Sequence, residues 1–99
     1  GAVAHIRFDV SGGAATIGFS LSSAARGRGL GSFLLRAAPL HLRAAYPQVR
    51  TVRGLVKSDN AASRRAFEAA GFRLVSEWSD AGGTVLTYDL GLEQAFPNP

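Results

Sequence analysis

Arg26-Gly27-Arg28-Gly29-Leu30-Gly31 carries three glycines and two arginines, set between an apolar strand-like run and an apolar helix-like run. Glycines at that point expose backbone N–H groups at the start of a helix, where unpaired donors and the helix dipole favour an anion. The arginines add planar forks that suit phosphate oxygens. The chemistry open to this spacing is the holding of a phosphate or a pyrophosphate. A tight strand-to-helix turn that binds nothing would use the same glycines, because glycine is the usual residue where φ must be positive. The alternation with arginine tips the reading towards the anion.

Composition removes other chemistries. Cys and Met are both absent, so disulfides, thiolate metal sites and a cysteine nucleophile are excluded. At 99 residues the chain is read as one domain, 1–99, with a single core. No signal-peptide pattern opens it and no apolar run approaches a membrane span, so the expectation is a soluble, cytoplasmic chain with no membrane partner. The formal charge is +4 and Lys57 is the only lysine. That balance suits bidentate recognition of phosphate or carboxylate. A long basic run or an interleaved aromatic stripe is missing, so no nucleic-acid partner is expected. The basic excess is read as local to the glycine loop and the second helix.

The elements that must position the loop follow from periodicity. Val3 to Val10 alternates as a strand, Ser11-Gly12-Gly13 turns, and Ala15 to Leu21 returns as a second strand. From Leu30 the apolar period becomes helical, with Leu30, Phe33, Leu34, Ala37, Ala38, His41, Leu42 and Ala45 at three- and four-residue steps until Tyr46-Pro47. Pro39 lies inside this helix and predicts a kink or a break into two pieces. Thr51 to Val56 is a third strand, parallel to the second because a helix connects them. Asn60 predicts the N-cap of a second helix, with Ala62, Ser63, Ala66, Phe67 and Ala70 on one face. Gly71 is placed as the left-handed residue that ends it, with Phe72 folding back on Phe67. Arg73 to Ser79 and Thr84 to Leu90 flank Asp80-Ala81-Gly82-Gly83 as a final hairpin, and Glu93 to Pro99 reads as a frayed tail.

Leu21 through Gly31, a strand end followed by an Arg-x-x-Gly-x-Gly-like loop, and Asn60-Ala61-Ala62-Ser63 running through Phe67 to Gly71-Phe72 together resemble the GNAT superfamily of acetyl-CoA-dependent N-acetyltransferases. The resemblance implies an α/β (α+β) fold: a mixed, twisted sheet in the order β-β-α-β-α-β-β, with the second and third strands parallel near their start and splaying towards the loop. It implies acetyl-CoA as acyl donor, no metal, and the primary amine of a small molecule as acceptor. Backbone N–H groups of Arg28, Gly29, Leu30 and Gly31 would hold the pyrophosphate, with Arg26 and Arg28 adding charge. Phe19 and Leu21 would lend main-chain groups to the pantetheine arm, and the Phe19 N–H would polarise the thioester carbonyl. Asn60 is a helix cap and, in the family, a contact to the same arm. Ser63 and Arg64 would reach the cofactor's phosphates or adenine, whereas Arg65 reads equally as a solvated face. A fainter likeness of the first hairpin to acetyltransferases of bacterial nucleotide amino-sugar pathways ranks an amino-sugar nucleotide among the acceptors.

The sequence also departs from that pattern. Phe67 stands near where many members carry a tyrosine acid, and the second strand lacks their glutamate base. His5, Asp9, Glu77 and Asp89 remain as acidic or basic groups with no role assigned, and the catalytic residues are unknown. A full family domain begins with a strand, two helices and another strand, so the resemblance implies a domain truncated at its N-terminus, naturally short, or completed by a fusion partner; a homodimer is a further possible partner. The alternative function is a non-catalytic acyl-CoA-binding regulatory module, which keeps the pyrophosphate seat and needs no acid or base. A dinucleotide fold is disfavoured because Ser32 replaces the third glycine and the first acidic residue after the loop, Asp59, is beyond the roughly 20-residue offset that ribose recognition uses.

Overall fold

The structure, a computed structural model, describes residues 4–21 and 30–92. Strand β1 (Ala4–Ser11) turns into β2 (Ala14–Leu21), and α1 (Leu30–Ala45) crosses to β3 (Thr51–Lys57). Helix α2 (Ala61–Ala69) then leads to a closing hairpin of β4 (Arg73–Asp80) and β5 (Gly83–Gly91). The five strands form one sheet in the order β1-β2-β3-β5-β4. Only β2 and β3 are parallel; every other neighbouring pair is antiparallel. The expected element order, the parallel pair and the mixed sheet are all present. The frayed tail, residues 93–99, lies outside the described residues.

One sheet face is apolar and meets the helices. Ala15, Ile17, Val52, Val56, Leu86, Tyr88 and Leu90 are buried there against Leu35, Ala38 and Leu42 of α1 and Ala66 and Phe67 of α2. Ile6, Phe8 and Val10 of β1 pack on the edge of this cluster, as alternation along the strand requires.

Helix α2 ends as its sequence dictates. Asn60 caps it, its side-chain oxygen accepting from the Ser63 N–H at 3.1 Å. At the other end Phe72 N–H donates to Phe67 C=O at 3.0 Å and Gly71 N–H to Glu68 C=O at 3.1 Å, with Gly71 at φ +92°. That is a Schellman ending, and the Phe67 and Phe72 rings meet edge to face at 5.0 Å.

Of the two outcomes expected at Pro39, the break into two pieces is absent: α1 runs unbroken through it, with Leu35, Ala38 and Leu42 packed on either side. One expectation for α1 is corrected: its buried face is rotated from the sequence reading. Leu35, absent from the expected stripe, is fully buried, while Phe33 is 65% exposed and Ala37, His41 and Ala45 are exposed. The helix carries more apolar residues than this sheet can cover, so periodicity alone did not single out the inward face.

Candidate functional site

The parallel pair that builds the site is incomplete. β2 and β3 are in register from Ala14↔Thr51 to Ile17↔Gly54 and then separate. Neither strand ends there: β2 stays paired with β1 as far as Leu21↔Ala4, and β3 with β5 as far as Lys57↔Val85. A gap therefore opens inside the sheet, widening towards the C-terminal ends of both strands, as the family resemblance implies.

The hairpin fixes which backbone groups face this gap. Gly12 has φ +57° and Gly13 does not share the positive region, the pattern of a type II′ turn. Such a turn makes Ser11↔Ala14 a hydrogen-bonded pair, and hydrogen-bonded and open positions then alternate along β1 and β2. The odd-numbered residues of β2 consequently turn their N–H and C=O groups away from β1. Gly13 C=O agrees, accepting from Arg50 N–H at 2.6 Å and Thr51 N–H at 3.2 Å on the β3 side. Phe19 and Leu21 thus present main-chain groups to the gap, beyond the last β2–β3 register pair.

Parallel strands place the helices that follow them at one edge. The N-terminus of α1, starting at Leu30 and the buried Gly31, and that of α2, starting after Asn60, both lie at the open end of the gap. The first turn of α1 holds no acidic residue, so the positive end of its dipole is not offset by a carboxylate of that turn. Ser63 and Arg64 sit on the first turn of α2, half-buried; Arg64 donates to Ser58 C=O at 3.2 Å, and its Nε is buried with no partner among the described residues. Arg65 is exposed. Arg26, Arg28 and Gly29 lie outside the described residues.

Phe67 is a wall of the site and no acid. It is 1% exposed, stacked on Tyr88 at 5.7 Å, and its ring occupies the space that a side chain at Gly54 would need. Among the carboxylates without an assigned role, Asp89 is held by Arg53 through contacts of 2.8 and 3.0 Å on the outer sheet face. That hydrogen bond, and secondarily the Asp89 charge, raise the Arg53 pKa against a smaller opposing effect of burial. Glu77 lies on the edge strand β4, two strands away from the gap.

Sequence reasoning missed the outer mouth of the gap. A groove of about 490 Å³ there is lined by Arg7, Phe8, Asp9, Thr16, Ile17, Gly18 and Leu55. It straddles the point where β2 and β3 part. The available signal was Gly18 in a strand interior, a position that marks a close approach: the arm of Arg7 lies against it, 2.9 Å at Nε from where a Cβ would stand.

A sheet opened between parallel strands, with helix N-termini at its mouth, can now be set beside known proteins. The family described as the acetyltransferase (GNAT) domain matches residues 1–73. The chain belongs to the GNAT acetyltransferase family. A mycothiol acetyltransferase from Corynebacterium diphtheriae is 46% identical over 55 residues, which is 56% of this chain and 18% of that protein. The aminoglycoside acetyltransferase AAC(6')-Ib, solved with coenzyme A and kanamycin, superposes with a TM-score of 0.70 at 27% identity, over 85% of this chain and 48% of that one. The ribosomal-protein-S5-alanine acetyltransferase of Vibrio fischeri shares the fold with a TM-score of 0.79 at 15% identity, over 96% of this chain and 57% of that one. This GNAT chain therefore spans about half the length of these solved structures and less than a fifth of the curated relative. Among its described residues no helix is long and apolar enough to cross a membrane, and no group of three or more His, Cys, Asp and Glu side chains could hold a metal.

Proposed function

We propose that the protein transfers an acetyl group from acetyl-CoA to the primary amine of a small molecule, with the β2–β3 gap as the acyl-donor site. The observation that carries this reading is the separation of two paired strands beyond Ile17↔Gly54. Backbone groups there that β3 does not pair need partners, and a pantetheine arm supplies amides that can pair with Phe19 and Leu21 like an added strand. The N–H groups of Arg28, Gly29, Leu30 and Gly31 hold the pyrophosphate, with Arg26 and Arg28 beside it. Asn60, Ser63 and Arg64 flank the arm and the phosphates from the α2 side. In a solved structure AAC(6')-Ib holds acetyl-CoA, which supports the same donor here.

The bound thioester supplies an activated acyl carbon. The chain's own contribution is to orient it and to direct the Phe19 N–H at its carbonyl oxygen, where charge grows as a neutral amine attacks. A thiolate leaves far more readily than an amine near neutral pH, so Phe67 in place of an acid is compatible with turnover. The fainter likeness of the first hairpin ranks an amino-sugar nucleotide among the acceptors. Residues 1–99 act as one acetyltransferase-like unit.

Calorimetry and amide NMR with acetyl-CoA test the donor site. Binding is expected to shift the amides of Phe19, Leu21 and residues 28–31, and to be lost in Arg26→Glu and Gly29→Asp. Saturating coenzyme A that leaves those amides unmoved overturns the proposal. The absence of the acid and base seen in many relatives favours a second reading, a binding module; acetyl-CoA binding without transfer to any amine by the full-length protein decides for it.

A further inference from the structure

We propose that Arg7, laid across Gly18 at the outer mouth of the gap, anchors an anionic group of the acceptor, so that the amines this site selects carry a carboxylate or a phosphate. The inference rests on the acyl-transfer reading and names its substrate class.

Arg7 and Gly18 are register partners on β1 and β2, one step beyond the last β2–β3 pair and one residue before Phe19. The missing side chain at Gly18 lets the Arg7 arm lie flat on the strand, with a Cβ position 2.9 Å from its Nε and 3.1 Å from its Cγ. The arm thereby lines the groove while the residue stays exposed to solvent. Its donors are uncommitted: Arg36 donates to Ala69 C=O, Arg53 to Asp89 and Arg64 to Ser58 C=O, whereas Arg7 makes no hydrogen bond or ion pair with any described residue. Asp9, two residues back on the same face and lining the same groove, forms no ion pair with it.

An uncommitted planar fork over an open groove is suited to bidentate binding of an oxyanion. The groove's volume of about 490 Å³ is enough for a small polar molecule. A polycationic acceptor entering by this route would have to bring an ammonium group beside Arg7 to reach the Phe19 N–H, whereas an amine bearing an anion places its negative group on the guanidinium and its nitrogen at the gap. The strand's own geometry sets that order, because Arg7 lies nearer the gap than Asp9 does.

The test uses three amines of one length: 2-aminoethylphosphonate, β-alanine and β-alaninamide, with spermidine as the polycation. Each is titrated into the ¹⁵N-labelled protein, following the Gly18 amide and the Arg7 Nε–H, and each is assayed as acceptor from acetyl-CoA. The expected result is tighter binding of the phosphonate or the carboxylate than of the amide by about tenfold, the worth of one charge-assisted hydrogen bond. That ratio should collapse towards one in Arg7→Gln and be partly kept in Arg7→Lys. Phosphonate over carboxylate points to a phosphate on the natural acceptor, and the reverse to a carboxylate. Equal binding of the amide, tighter binding of spermidine, a ratio unchanged in Arg7→Gln, or no binding by any probe overturns the inference. Coenzyme A titrated into the same samples separates the two claims: if it shifts residues 28–31 while the anion preference is absent, only the acceptor assignment falls.

Discussion

Replacing Gly54 with alanine tests how α2 is seated on the sheet. Gly54 is the last β3 residue in register with β2, and a Cβ there would overlap the Cε1 and Cζ atoms of Phe67. The ring has nowhere to go: it is 1% exposed, with Phe72 edge-on at 5.0 Å and Tyr88 stacked at 5.7 Å. The backbone must yield, and overpacking of this kind costs roughly 1–3 kcal/mol. For a domain of this size about 2 kcal/mol lowers Tm by roughly 8–16 °C. Urea unfolding followed by circular dichroism measures the loss, and a double-mutant cycle identifies its cause. Phe67→Leu alone leaves a cavity and is also destabilising, but it vacates the space that the new methyl needs. The double variant should therefore be more stable than the sum of the single changes allows, by at least about 1 kcal/mol of coupling. A cost below about 0.5 kcal/mol for Gly54→Ala, the range of an ordinary surface change, or strict additivity in the cycle, would refute the wedge of Phe67 against β3.

Asn60→Ala should cost about 1 kcal/mol in urea unfolding, because the 3.1 Å bond to Ser63 N–H is lost. Asn60→Asp should keep that stability while weakening coenzyme A binding in calorimetry, since it adds a negative charge at the open end of the gap. Gly71→Ala should lower stability by about 1 kcal/mol through the backbone alone, as φ is +92° and no atom lies within 4 Å of the added methyl; a neutral result would mean the Schellman ending relaxes freely. Phe19→Pro removes a single N–H that faces the gap and is not used by β1. It should lower kcat about 100-fold relative to Phe19→Leu with the coenzyme A affinity little changed, and an equal fall in both variants would place carbonyl polarisation elsewhere.

Much of this arrangement could be read from the chain because local rules and tertiary structure agree. The Asn60 cap, the Gly71 ending with Phe72 on Phe67, and the Gly12-Gly13 turn are fixed by residue chemistry within a few positions. The splay of β2 and β3 came from family resemblance, since no periodicity announces where two strands stop pairing. The inward face of α1 was misread for a different reason. Phe33, Ala37 and His41 have the same spacing as the residues that are buried, and only the sheet beneath decides that Leu35 is covered and Phe33 is not. Arg7 escaped notice because an alternating strand assigns it to solvent. Its contact with Gly18 depends on the register between β1 and β2, which is a long-range fact.

Two glycines mark the point where the sheet opens, and they act on opposite faces. Gly54 admits the Phe67 ring on the helix side, and Gly18 admits the Arg7 arm on the outer side. Side chains at either position would pair with cross-strand neighbours and fill the space through which both neighbours reach the apex of the gap. Beyond that apex, Phe19 and Leu21 hold main-chain groups that β3 does not pair, and such groups need partners. A ligand that pairs with those groups adds its binding energy to the stability of the folded chain. The two glycines thus fix opposite sides of the opening: one lets α2 seat on the sheet, and the other lets the Arg7 arm line the groove.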